Sequence, residues 1–183
     1  MSKPSLVIVL AEDERHQRFV RHFLYQKGLS THQIRMEPLP SGKGCGEQWV
    51  REQYPTAVNA YRERSGGGRA KTALVVVIDA DTDTVDRRSR QLRESLTQLG
   101  LSDRAANEAI THFIPKRNIE TWVLFLHCRR VDEDTDYSRD SDVDQLIQPG
   151  AVAFFDMSRV SAAPRPNCIA SLLAAIPEAR RLD

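Results

Sequence analysis

The sequence predicts an α/β fold of three layers, a mainly parallel sheet flanked by helices. Three observations carry this. Residues 5–10 (SLVIVL) and the LVVVI run starting at Leu74 are short, continuous and rich in β-branched residues, the pattern of strands buried on both faces. Amphipathic stretches alternate with these strands, as parallel sheets require. Each strand signal runs out into acidic residues, and the C-terminal edge of a parallel sheet is where ligands usually bind. A chain of 183 residues is long enough for one domain, 1–183, with a full core.

Taken in order, residues 5–10 lead to Ala11-Glu12-Asp13-Glu14 and a helix with Phe19, Val20, Phe23 and Leu24 on one face, ending near Gly28. Asp13 is a reasonable N-cap, and acids in a first turn favour the helix dipole. Glu12 also leaves the C-terminal end of a strand, and it faces any ligand crevice there if this strand neighbours the one from Leu74. Residues 33–37 suit a short strand. Residues 38–46 (PLPSGKGCG) are a Gly-rich loop that either connects flexibly or brings Lys43 close to a phosphate; GKGC lacks the P-loop spacing and its Ser or Thr. Residues 47–64 read as a helix that Pro55 should kink or restart, and 65–68 as a flexible linker.

The stretch 74–84 (LVVVIDADTDT) is the centre of the reading. Side chains two apart on a strand share a side, so Asp79 and Asp81 should project together, with Asp83 one step into the loop. Carboxylates this close repel unless a cation or shared protons compensate. A divalent ion with hard oxygen ligands, Mg2+ or Mn2+, is the economical answer; a solvated acidic turn capping the next helix is the other.

That helix, 84–99, sets Val85, Leu92, Leu96 and Leu99 inward and Arg87, Arg88, Arg90 and Arg93 outward, either as a solvated face or as one that holds a polyanion. Residues 110–114 suit a third strand. Pro115 follows, with Lys116 and Arg117, then a helix capped by Asn118 with Trp122, Val123 and Leu126 inward. Glu120 in its first turn should face the crevice, as ligand or as partner to Lys116 or Arg117. Residues 131–144 carry seven acids and almost nothing apolar, the composition of a mobile loop or lid. Residues 151–155 suit a short edge strand. A C-terminal helical segment spans 166–182, with Pro177 breaking it or starting a last turn.

Composition narrows the function classes. A net charge of +1 gives no overall bias toward nucleic acid, although a local patch is compatible with it. Cys45, Cys128 and Cys168 are odd in number and lack CxxC or CxxH spacing, which disfavours a disulfide framework or zinc site and fits a reducing cytoplasm. The apolar run before Glu12 is too short for a signal peptide or membrane span. The DxDxD pattern is not an EF-hand, because Thr84 and Arg90 stand where Gly and Glu are needed. Asp83 also replaces the Thr or Val of a haloacid-dehalogenase phosphatase, and no nucleotide-sugar unit precedes the pattern as in a DxD glycosyltransferase.

A Glu after the first strand (Glu12), a DxD after a later apolar strand (Asp79, Asp81) and the NIETW segment around Glu120 resemble the Toprim family of topoisomerases, primases and nucleases, a Rossmann-like fold. NIETW is similar to its counterpart in small bacterial Toprim-related proteins of unknown function, several of them neighbours of phage-defence genes. The resemblance spans about 6–126. Position 13, often Gly in Toprim proteins, is Asp here. The resemblance implies one or two Mg2+ or Mn2+ ions held by Glu12, Asp79 and Asp81, with Asp83 or Glu120 completing the set, and Glu12 as a possible general base. It implies phosphodiester hydrolysis on DNA or RNA, with Lys43, Lys116 and Arg117 neutralising phosphate oxygens. The alternative is a non-catalytic module that binds nucleic acid or a partner ATPase of a defence system. Self-association is compatible with either, and no membrane partner is expected.

Overall fold

The computed structural model describes residues 3–40, 46–66 and 71–183. The loop carrying Lys43, and 67–70 of the expected linker, lie outside these residues. Among those described, β1 (Leu6–Ala11), β2 (Ile34–Met36), β3 (Thr72–Val77) and β4 (Ile110–Phe113) form one sheet of order β2-β1-β3-β4. Every neighbouring pair is parallel. The helices are α1 (Glu14–Gln26), α2 (Gly46–Gly66), α3 (Val85–Gln98), α4 (Ile119–Leu126), α5 (Val143–Ser158) and α6 (Ala170–Arg180). The α/β three-layer class read from the sequence is what the chain adopts.

The continuous apolar strands follow from this layering. Val7, Val9, Val75 and Val77 face one core with residues of α1, α4, α5 and α6. Ile8, Leu10, Leu74 and Val76 face the other with residues of α2 and α3. Alternate side chains go to opposite faces, and both faces are covered. Phe19, Phe23, Phe113, Trp122 and Phe154 pack edge-on or tilted under the first group, with ring centroids between 5.2 and 6.3 Å apart.

Several local expectations are corrected. Residues 151–155 belong to α5, not to an edge strand. Val143, Ile147, Ala151, Phe154 and Met157 are buried at helical spacing, which five residues were too few to reveal. Pro177 does not break the last helix: α6 runs through it, as α2 runs through Pro55. Each proline removes a backbone hydrogen bond, and buried neighbours such as Val58 in α2 and Ile176 and Ala179 in α6 offset the loss. On α3, Leu99 is exposed and Arg88 is buried, the reverse of the expected facing.

The acidic segment runs through bends and turns as far as α5 and is tied at several points. Glu133 accepts from the Ala170 and Ser171 N–H groups at the start of α6, and Arg129 pairs with Asp140 and Asp142. No described helix is long and apolar enough to cross a membrane.

On β4, His112 is buried with its Nε2 2.9 Å from the Tyr54 hydroxyl. Burial, with Arg104 and Arg181 nearby, holds its pKa well below the usual value, so the folded protein keeps it neutral. The unfolded chain protonates this residue below about pH 6.5. The unfolded state then binds more protons, and stability falls as pH falls, by up to about 1.4 kcal/mol per pH unit from this group. Urea unfolding of the native protein and His112→Phe at pH 7 and 5.5 should show a smaller acid loss in the variant; equal losses would contradict a neutral buried His112.

Candidate metal centre

β1 and β3 run side by side in register from Leu6 opposite Thr72 to Ala11 opposite Val77. Their next residues therefore emerge together at the C-terminal edge. Beyond β3 the backbone stays extended, because the Ile78 and Ala80 N–H groups donate to the Phe113 and Pro115 carbonyls at 3.1 and 2.8 Å. Ile78 and Ala80 are buried against α2 and α3. Asp79, between them, faces the opposite side, where α1 begins. Its N–H donates to Glu12 Oε2 at 3.0 Å, so the first acid after β1 and the first after β3 are directly linked.

His16 completes the cluster. Asp13 caps α1 by accepting from the His16 N–H at 3.0 Å. The same carboxylate oxygen lies 2.8 Å from His16 Nδ1, and His16 Nε2 lies 2.9 Å from Asp79 Oδ1. Glu12, His16 and Asp79 each offer a ligand atom, and the three atoms lie within 4.8 Å of one another. His16 is fully buried and Asp79 nearly so.

The electrostatics are those of a crowded, poorly solvated site. Burial pushes the Asp79 carboxyl up to about 7, with Glu12 and Glu120 adding to the rise and His16 opposing it. Burial also raises Glu12, against His16 and the Asp79 N–H. For His16 burial favours the neutral ring, but the carboxylates of Asp79 and Asp13 on its two nitrogens override this and hold its pKa well above the usual range. Partial burial works upward on Asp13 too, and the His16 imidazolium and backbone N–H groups bring it well below the usual carboxylate range. Without a metal, the proton on His16 is the cation that keeps the carboxylates together.

Two residues hold this edge in place. Arg88 donates from Nε to the Asp79 carbonyl at 2.9 Å and pairs with Glu47 in the first turn of α2. Gly46, the first residue of α2, sits so close to Glu12 that a Cβ would lie 2.5 Å from the Glu12 carbonyl oxygen and from its Cγ. The close backbone approach at the Glu12 turn is thus made by a glycine from another element, not by position 13.

The other expected residues are placed differently. Asp81 adopts φ 61°, the left-handed region, and the Asp83 N–H closes a turn onto the Ala80 carbonyl at 2.9 Å. The alternation that would have set Asp81 beside Asp79 stops there, and Asp81 pairs with Arg117 at 2.9 Å. Asp83 pairs with Arg87 at 3.1 Å and accepts from Gln91. Lys116 pairs with Asp134 at 3.2 Å. Neither Asp81 nor Asp83 belongs to the three-residue cluster.

Glu120 is buried and close enough to raise Asp79, but its partner is Arg15, at 2.6 Å, rather than Lys116 or Arg117. Arg15 also donates to the Ser138 carbonyl and to Asp144.

His16, Arg15 and Gly46 were not anticipated as site residues. His16 stands four residues after Glu12 and three after Asp13, a spacing that puts it on the same side of the first helical turn; that was the readable signal. No family model matches the chain, and no match is found among curated proteins or among solved structures.

The Glu120 side chain is only 5% exposed, against 26% for Arg15. Removing Arg15 leaves a buried carboxylate without its counter-charge, at a cost of about 3 kcal/mol. Arg15→Ala should lose that much in urea unfolding, and Arg15→Ala/Glu120→Gln should recover a large part of it. If the second change recovers nothing, the pair is a surface contact and not a buried one.

Proposed function

We propose that the protein is a divalent-metal-dependent phosphodiester hydrolase acting on nucleic acid, a Toprim-type nuclease. The observation that carries this is the convergence of Glu12, His16 and Asp79 at the C-terminal edge of two adjacent parallel strands. Two carboxylates and an imidazole suit a borderline divalent ion. The imidazole moves the preference from Mg2+ toward Mn2+. Glu12, His16 and Asp79, with one ligand atom each and these within 4.8 Å of one another, would be the residues to hold such an ion.

The chain's own groups fit such an ion in a second way. With Asp13 accepting the Nδ1 proton, neutral His16 presents its Nε2 lone pair to the crevice, the carboxylate–histidine arrangement that orients metal ligands. Binding releases the proton that otherwise compensates Asp79 and Glu12. A bound divalent ion supplies polarisation of a phosphoryl oxygen and a water acidic enough to attack near neutral pH. Glu12, whose pKa burial raises above the ordinary carboxylate value, would be the residue to accept a proton from an attacking water. Lys116 and Arg117, on the turn between β4 and α4 and paired with Asp134 and Asp81, would neutralise phosphate oxygens on leaving those partners.

A second reading, a non-catalytic module that binds nucleic acid or a partner ATPase, is favoured by one feature. Protonated His16, held between Asp13 and Asp79, offsets part of the carboxylate charge without an ion.

Mn2+ titration followed by electron paramagnetic resonance, with thermal melts in EDTA and in Mn2+, separates the possibilities. The native protein should bind Mn2+ and gain about 2.7 kcal/mol at a hundredfold excess over Kd. Asp79→Asn should abolish both effects. Cleavage of plasmid, linear DNA or RNA should depend on Mn2+ and vanish in Asp79→Asn. Absence of Mn2+ binding would end the metal reading; binding without cleavage of any of the three would leave the accessory module.

A further inference from the structure

The acidic segment 131–144 crosses one flank of the crevice, and its acceptors meet donors in chain order. Asp134 pairs with Lys116 at 3.2 Å, and Asp136 accepts from Asn118 Nδ2 at 2.8 Å. The Ser138 carbonyl accepts from Arg15 at 2.8 Å. Asp144, in the first turn of α5, pairs with Arg15 at 3.1 Å and with Arg18 at 2.7 Å. Lys116, Asn118, Arg15 and Arg18 therefore form a continuous donor track from the start of α4 to the exposed side of α1. The track adjoins the metal cluster, since Arg15 precedes His16 and holds Glu120. The groups that meet it are carboxylates and a carbonyl spaced along a segment of bends and turns that ends in α5, acceptors of the kind a phosphodiester backbone offers.

We infer that this track is the docking surface for a single-stranded nucleic-acid backbone, and that segment 134–144 lies on it as an internal competitor for the same donors. The inference rests on the proposed nucleic-acid function and adds to it where the strand binds and what occupies that place beforehand. Burial separates the contacts that exchange from those that stay. The side chains of Asp134 and Asp144 are 87% and 51% exposed, so their ion pairs are weak and open to other anions. The Arg15–Glu120 contact is buried and keeps Arg15 in position while its outer donors change partner. The Glu133 contacts to α6 hold the segment's leading flank and the Arg129 pairs anchor Asp140 and Asp142 within it, so exchange needs side-chain movement only.

The test is fluorescence anisotropy with a labelled twelve-nucleotide oligodeoxythymidine in EDTA, across a salt series. Asp134→Asn/Asp144→Asn unmasks Lys116, Arg18 and part of Arg15. It should bind about tenfold more tightly at low salt, with a plot of log K against log salt steeper by about 1.4, two freed cations, Lys116 and Arg18, at about 0.7 each. Asp86→Asn/Asp156→Asn makes the same change in net charge away from the track and should bind like the native protein. Asp134→Asn alone, at the more exposed carboxylate, should steepen the slope by about 0.7 and serves if the double variant folds poorly. Equal tightening in both double variants, an unchanged slope, or no binding by any form overturns the inference. Mn2+ titration of the same samples keeps the two proposals apart. Mn2+ binding with unchanged oligonucleotide affinity removes the competitor segment and leaves the metal centre. Tightened oligonucleotide binding without Mn2+ binding does the reverse.

Discussion

The pairing of β1 with β3 is the constraint on which the rest depends. It is all-parallel and in full register, so the first residues past each strand arrive together, and both are acidic. Glu12 and Asp79 come from opposite sides of a long crossover that includes α2, and the Asp79 N–H is satisfied by the Glu12 carboxylate. Two carboxylates brought this close, in a place that water reaches poorly, must be compensated. The start of α1 supplies the compensation through His16, which Asp13 orients from the other side. Arg88 and Gly46 then fix the remaining freedom of the edge, one by gripping the Asp79 carbonyl and the other by leaving room for Glu12.

The layers were legible because burial on both faces leaves a signal that survives in single strands: uninterrupted β-branched runs cannot be satisfied at a surface. Glu12 and Asp79 were legible for the same reason, as the first polar residues past such runs. Asp81 was misplaced because the strand rule of alternation was carried one residue past Ala80, to a left-handed residue that ends it. Residues 151–155 were misread because five apolar residues fit either period, and the helical one emerges only with Val143, Ile147 and Met157 included. Arg88 was read outward because a charged residue in an amphipathic helix usually is; its burial depends on carbonyls from Asp79 and Ala80 that no local pattern announces.

The charges around the crevice form two populations. One is centred on buried groups and mutually dependent: His16 with Asp79, and Glu120 with Arg15. The other is exposed: Asp134 with Lys116, and Asp144 with Arg18. The first behaves as part of the core, because removing one member strands the other in low dielectric. The second is screened by salt and costs little to rearrange. A chain of net charge +1 can therefore carry paired cations such as Lys116 and Arg18 whose partners salt readily loosens.

The crossover between Glu12 and Asp79 has a consequence for the order in which the molecule assembles. The two acids are separated by 67 positions along the chain, and α1, β2 and α2 lie between them. No hairpin or isolated helix can bring them together. Their meeting waits for the slow, non-local step of closing a parallel sheet, whose chain-closure entropy must be met before its contacts form. A nascent chain or a partly folded intermediate with native-like helices thus lacks the cluster altogether. Whatever the crevice does belongs only to molecules whose central sheet is complete, and a misassembled sheet is inert at this site by construction.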